Sequence, residues 1–177
     1  MSLISNRTIS EDLWKQLLQE TLNGVIRMVD ASNKLLSDEG NEAICAGLYT
    51  YAVEEYGKHL LLKQCVPMNG KVTINYEKIF KDKRHENKFN AAIEDFRKQA
   101  PECIILAKGM FDPAYFDPQY FDTTAPITVD FKTRMAIFYC DISDSGDGIK
   151  QVPAVDKSVL NNAVDKLKTI ATALTIP

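Results

Sequence analysis

The sequence predicts an all-α fold, a bundle of four to five main helices with a long irregular aromatic loop before the last one. Two observations carry this. Four segments repeat apolar residues at three- and four-residue steps, the period of a helix with one buried face. The segment 108–132 breaks that pattern with a run of aromatic, aspartate and proline residues. At 177 residues the chain suits one domain, 1–177, with a loop insertion at 107–133.

The first helix starts at Ser10, a good N-cap, and Glu11 and Asp12 suit the positive end of the helix dipole. Leu13, Trp14, Leu17, Leu18, Leu22, Val25, Ile26 and Val29 form its stripe, which reaches about Leu36. Gly40 and Asn41 mark a turn. The second helix runs from about Glu42 to Cys65, before Pro67. Cys45, Leu48, Tyr49, Ala52, Tyr56, His59 and Leu60 make its stripe. Gly57 lies inside it. A glycine there costs roughly 1 kcal/mol against alanine, and it admits close approach of a neighbouring helix. After the turn at 67–70, Tyr76, Ile79 and Phe80 form a short helical piece. His85, Phe89, Ala92 and Phe96 share one face of a longer helix that ends or kinks at Pro101, with a short continuation at 104–106.

An aromatic-Asp-Pro unit occurs at Phe111-Asp112-Pro113 and Phe116-Asp117-Pro118, echoed by Phe121-Asp122. So aromatic a loop should pack, and long ordered loops often carry function. Residues 135–140 fit strand or helix equally, and 143–148 read as a turn. The last helix starts near Asp156 with Val159, Leu160, Ala163, Val164, Leu167, Ile170 and Leu174 on its stripe.

A net charge of −3 argues against a generally basic nucleic-acid binder. The four cysteines are far apart and form no Cys-x-x-Cys pair, which points to reduced, buried thiols and a cytoplasmic location. No apolar run is long enough to span a bilayer, and no apolar core of a signal peptide precedes Trp14. Two histidines are too few for a histidine-rich metal site within one chain, and the Glu-x-x-His spacing of di-iron bundles is absent. No metal and no cofactor are expected.

Polar chemistry concentrates in two places. On the second helix, Glu55 and His59 are four apart, as are Glu54 and Lys58, the latter pair nearer the exposed side. Between Lys78 and Lys88 there are five basic residues against two acids, whereas 108–147 holds seven aspartates against three basic residues. This basic patch surrounds His85. An imidazole beside fixed cations can move a proton at a ribose 2′-hydroxyl while the cations stabilise charge on phosphorus. The plainer reading is a histidine hydrogen-bonded within the bundle beside a solvated charge run.

Residues 46–58, ending Ala52-Val53-Glu54-Glu55-Tyr56-Gly57-Lys58, resemble the A-x-E-E-x-G-K signature of the AbiV-type abortive-infection family of the HEPN superfamily. Arg84-His85-Glu86-Asn87-Lys88-Phe89 resembles that family's H-x-x-K element, and Arg134 to Asp141 with Pro153 is similar to its late segment. The resemblance covers about residues 30–175. It implies a HEPN-like helical bundle acting in anti-phage defence, one that pairs as a homodimer and cleaves RNA without metal. It implies His85, Lys88 and Arg84 as catalytic, Glu55, Lys58 and Glu54 as supporting, and Lys81 and Lys83 as RNA-binding. The usual HEPN motif, an arginine, then four to six residues, then a histidine, is missing; Lys78 and Lys81 are loose substitutes. A non-catalytic module that binds a phage or host protein, or RNA, through the loop 110–122 is therefore the alternative.

Overall fold

The computed structural model describes residues 6–81, 85–100, 103 and 157–174. Most of these are helical, in the order β1 (Asn6–Ser10), α1 (Glu11–Leu36), α2 (Glu42–Lys63), β2 (Lys71–Asn75), α3 (Tyr76–Phe80), α4 (His85–Gln99) and α5 (Lys157–Leu174). The aromatic loop, the segment 135–140 and the turn at 143–148 lie outside the described residues.

α1 begins as its sequence dictates, with the Ser10 side chain accepting from the Leu13 N–H at 3.2 Å. The turn after it uses Gly40 at φ 85°, where a side chain would be strained. α2 returns along α1 and is buried on most of its circumference. Its buried residues include Cys45, Ala46, Tyr49, Ala52, Val53, Tyr56 and Leu62. α4 and α5 complete the main core, where Leu22, Val25 and Val29 of α1 meet Phe89 and Phe96 of α4 and Leu160, Val164 and Leu167 of α5. Tyr56 and Phe96 stack with centroids 5.5 Å apart. On the rim, Lys168 of α5 pairs with Asp30 of α1 at 2.7 Å.

The two strands depart from the all-α expectation. β1 and β2 pair antiparallel, Arg7 opposite Ile74 and Ile9 opposite Val72. Lys71-Val72-Thr73-Ile74-Asn75 alternates buried and exposed, with β-branched residues at its centre. That period-two signal is legible but only five residues long. The sheet covers a second, smaller core of Leu61, Leu62, Val72, Ile74 and Ile79. The Arg7 guanidinium lies 3.6 Å from the centroid of the Tyr76 ring.

Directional bonds tie α1 to the end of α2 at the same place. The Trp14 indole donates to the Leu62 carbonyl at 2.9 Å, and the Glu11 N–H to the Gly70 carbonyl at 2.9 Å. His59 completes the set. Thr21 already donates to the Leu18 carbonyl, so the His59 Nδ1–H donates to Leu18 O at 3.1 Å, with Thr21 Oγ1 3.4 Å away. The expected pairing of His59 with Glu55 does not occur: His59 bonds the Leu18 carbonyl of α1, and the Glu55 carboxylate takes Lys58.

At Gly57 the backbones of α2 and α4 touch. A Cβ on residue 57 would fall 1.8 Å from the Lys88 carbonyl oxygen. No rotamer relieves a clash with backbone, so only glycine fits.

Gly57→Ala should therefore force α4 outward and destabilise the fold by about 3 kcal/mol, read as a lower urea midpoint. Burial holds the His59 imidazole below its ordinary value of 6.5. The unfolded chain takes up this proton as pH falls through 6.5, while the folded chain resists until lower pH. His59 thus contributes stability that is present above 6.5 and lost as pH falls below it. Denaturation curves between pH 7.5 and 5 should show this loss, and His59→Asn, which keeps a donor near Nδ1, should diminish it.

Candidate functional site

Gly57 brings the first turn of α4 against α2, and this contact assembles the polar cluster. Glu54 lies three residues before Gly57 on α2. Its Oε1 accepts from His85 Nδ1 at 2.6 Å and from Lys88 Nζ at 2.9 Å. His85 and Lys88 are three apart in α4 and so share one side of its first turn. One carboxylate oxygen thus receives two donors from the neighbouring helix.

Burial divides the roles. The side chains of Glu54 and Lys88 are only 8% and 5% exposed, whereas His85 is 28% exposed. A buried carboxylate is costly unless paired, and Lys88 is its buried counter-ion. An ionised carboxylate only accepts, so His85 must donate from Nδ1 and Nε2 becomes its basic nitrogen. This is the geometry in which an acid orients a histidine for proton transfer. Of the three, His85 is the member most open to solvent.

The sequence-predicted residues sort unevenly. His85, Lys88 and Glu54 come together. Glu54 is not on the exposed side of α2, as its spacing from Lys58 implied; it is buried against α4. Lys58 pairs with Glu55 instead, one turn along the same helix. That pair is partly exposed and stands beside α1 at Gly24, whose Cβ position is 3.9 Å from Glu55 Oε2. Lys88 was expected to touch phosphate, but its ammonium is buried on Glu54. Lys81 is exposed and pairs with Glu77 at 2.7 Å. Arg84 and Lys83 lie outside the described residues.

One feature of the neighbourhood escaped the sequence reading. The Tyr56 hydroxyl donates to Asp95 Oδ2 at 2.6 Å. Burial, reinforced by that bond, pushes its phenol far above the ordinary range, so it acts as a fixed donor. A tyrosine on the buried stripe gave no sign of which acid on α4 it would meet. The thiols of Cys45 and Cys65 are pushed up by burial, which suits packing and not nucleophilic chemistry. Among the described residues no three His, Cys, Asp or Glu side chains gather as a metal site requires, and no helix is long and apolar enough to cross a membrane.

Removing one member of the Glu54–Lys88 pair leaves the other charge buried alone. Glu54→Ala and Lys88→Ala should each cost about 3–5 kcal/mol in chemical denaturation, while His85→Ala should cost distinctly less. Comparison of the chain with protein-family models, curated proteins and solved structures finds no match.

Proposed function

We propose that this protein is a HEPN-like anti-phage defence protein of the AbiV type, and that it cleaves RNA without a metal ion. The observation that carries the reading is the hydrogen bond from His85 Nδ1 to the buried Glu54 carboxylate. It makes Nε2 the nitrogen that takes a proton from a ribose 2′-hydroxyl or returns one to the leaving oxygen. Attack of that 2′-oxygen on the adjacent phosphorus releases the 5′-oxygen and needs no oxidant, cofactor or metal. Arg84, Lys83 and Lys81, close to His85 in sequence, are assigned to phosphate contact. Lys88 is assigned to holding Glu54. A homodimer that joins two such clusters fits the resemblance and would supply further cations to each.

One observation favours a second reading. Glu54, Lys88 and His85 satisfy one another inside the protein, as a polar network that fixes helix packing does. In that case the protein acts by binding a phage or host protein, and the bundle only presents the surface.

The test is RNA degradation by purified protein in excess chelator. Wild type should cleave, and His85→Ala should slow cleavage by about 10²–10⁴-fold with little loss of stability. Intact RNA, from protein that still arrests cells on expression, would transfer the function to the interaction reading.

A further inference from the structure

The end of the small sheet carries a feature that the cluster on α4 does not use. The antiparallel register sets Arg7 opposite Ile74. One residue later Asn75 caps α3, its Oδ1 accepting from the Lys78 N–H at 3.0 Å. That turn places Tyr76, the first residue of α3, against the Arg7 guanidinium, 3.6 Å from the ring centroid. Phe80 follows four residues on, the spacing that puts two side chains on one helix face. Its ring stacks on that of Tyr76 with centroids 5.4 Å apart and planes 27° from parallel. Arg7, Tyr76 and Phe80 thus form one contiguous set of flat groups.

Stability is a weak reason for this set. At an exposed site a cation over a ring adds little, and the sheet is already held by its ladder across five paired residues. The guanidinium is also uncommitted. Arg7 is exposed, and among the described residues no acid or other acceptor takes its N–H groups. Lys78, on the same short helix as the two rings, is exposed and equally without a carboxylate among the described residues. Glu77, the acid between the rings in sequence, is bonded to Lys81. Arg7, Lys78 and Lys81 against Glu77 leave this corner positive, in a chain of net charge −3.

We propose that Arg7, Tyr76 and Phe80 form a stacking platform for a base of single-stranded RNA, with Lys78 on a neighbouring phosphate. A guanidinium held flat on a ring offers its other face to a base and its edge donors to a phosphate oxygen. Stacking on aromatic and arginine planes is how unpaired strands are held without reading their sequence. In a duplex the faces of the bases are already covered by their neighbours, so the platform selects the unpaired strand. Resting on the RNA-cleaving reading, this names the substrate class of that site. His85 opens α4 five residues after Phe80, so the backbone holds the platform within about 18 Å of it.

The probe is a fluorescein-labelled 2′-O-methyl oligoadenylate, whose blocked 2′-oxygen prevents cleavage, so that anisotropy reads binding alone. Wild type should bind it more tightly than a duplex of the same length. Arg7→Lys keeps the charge and loses the plane, and should weaken binding at least about fivefold, the lower end for loss of one stacked base. Tyr76→Ala should weaken it to a similar extent, and Tyr76→Phe, which keeps the ring, should bind as wild type does. Should Tyr76→Ala disturb α3, the exposed Arg7→Lys still decides. Undiminished binding by Arg7→Lys, a duplex bound as tightly as the single strand, or no binding by wild type would each overturn the proposal. Cleavage is read separately, on unmodified RNA in chelator. Binding that depends on Arg7 but brings no cleavage would refute the ribonuclease reading and leave the platform standing. Cleavage with binding indifferent to Arg7 would do the reverse.

Discussion

The contact between Gly57 and the Lys88 carbonyl is the constraint on which the remaining geometry depends. With 1.8 Å between the ideal Cβ position and that oxygen, α2 and α4 approach as closely as two backbones allow. The separation fixes the reach available to side chains at the crossing. Glu54, on the same side of α2 as Gly57, can then touch two residues of α4 at once. A wider separation would need a water between carboxylate and imidazole, and the direction of that hydrogen bond would no longer be set by Glu54 alone.

The cluster illustrates how a bundle tolerates buried charge. Glu54 and Lys88 are each expensive to bury and acceptable only together. Replacing both by apolar residues of similar shape is expected to give an equally stable bundle, since buried ion pairs often contribute little net stability. The stability of the fold is therefore a weak reason for keeping the pair. Its geometric effect on the one member that reaches solvent, His85, is a stronger one. The same helix shows the contrast: Tyr56 and Asp95 also bond across α2 and α4, but Tyr56 is sealed beneath Phe96 and only packs.

Much of the helical frame was legible. The start of α1 at Ser10, the stripe of α4 and the extent of α5 follow directly from caps and periodicity, because each of these helices has one buried face. α2 was harder. It is buried on most sides, so its periodicity does not say which neighbour each face meets. That is why Glu54 was placed toward solvent and Glu55 beside His59, when Glu54 faces α4, Glu55 meets Lys58 and His59 faces α1. The glycine three residues beyond Glu54 was the available signal, since a mid-helix glycine marks where another backbone approaches. The strands went unseen because five residues, two of them buried on β2, make a short pattern, and because their pairing depends on a partner 65 residues away, as Thr8 and Thr73 show.

That separation says something about how the molecule assembles. The small sheet joins the residues just before α1 to those just after α2, so its strands have nothing to pair with until the two helices lie side by side. A two-stranded ribbon is marginal on its own, and closing so long a loop carries an entropic cost that local helix formation does not. The ribbon therefore depends on the helical pair behind it: its pairing holds only while α1 and α2 lie side by side, which makes β1 and β2 a latch across the ends of the hairpin.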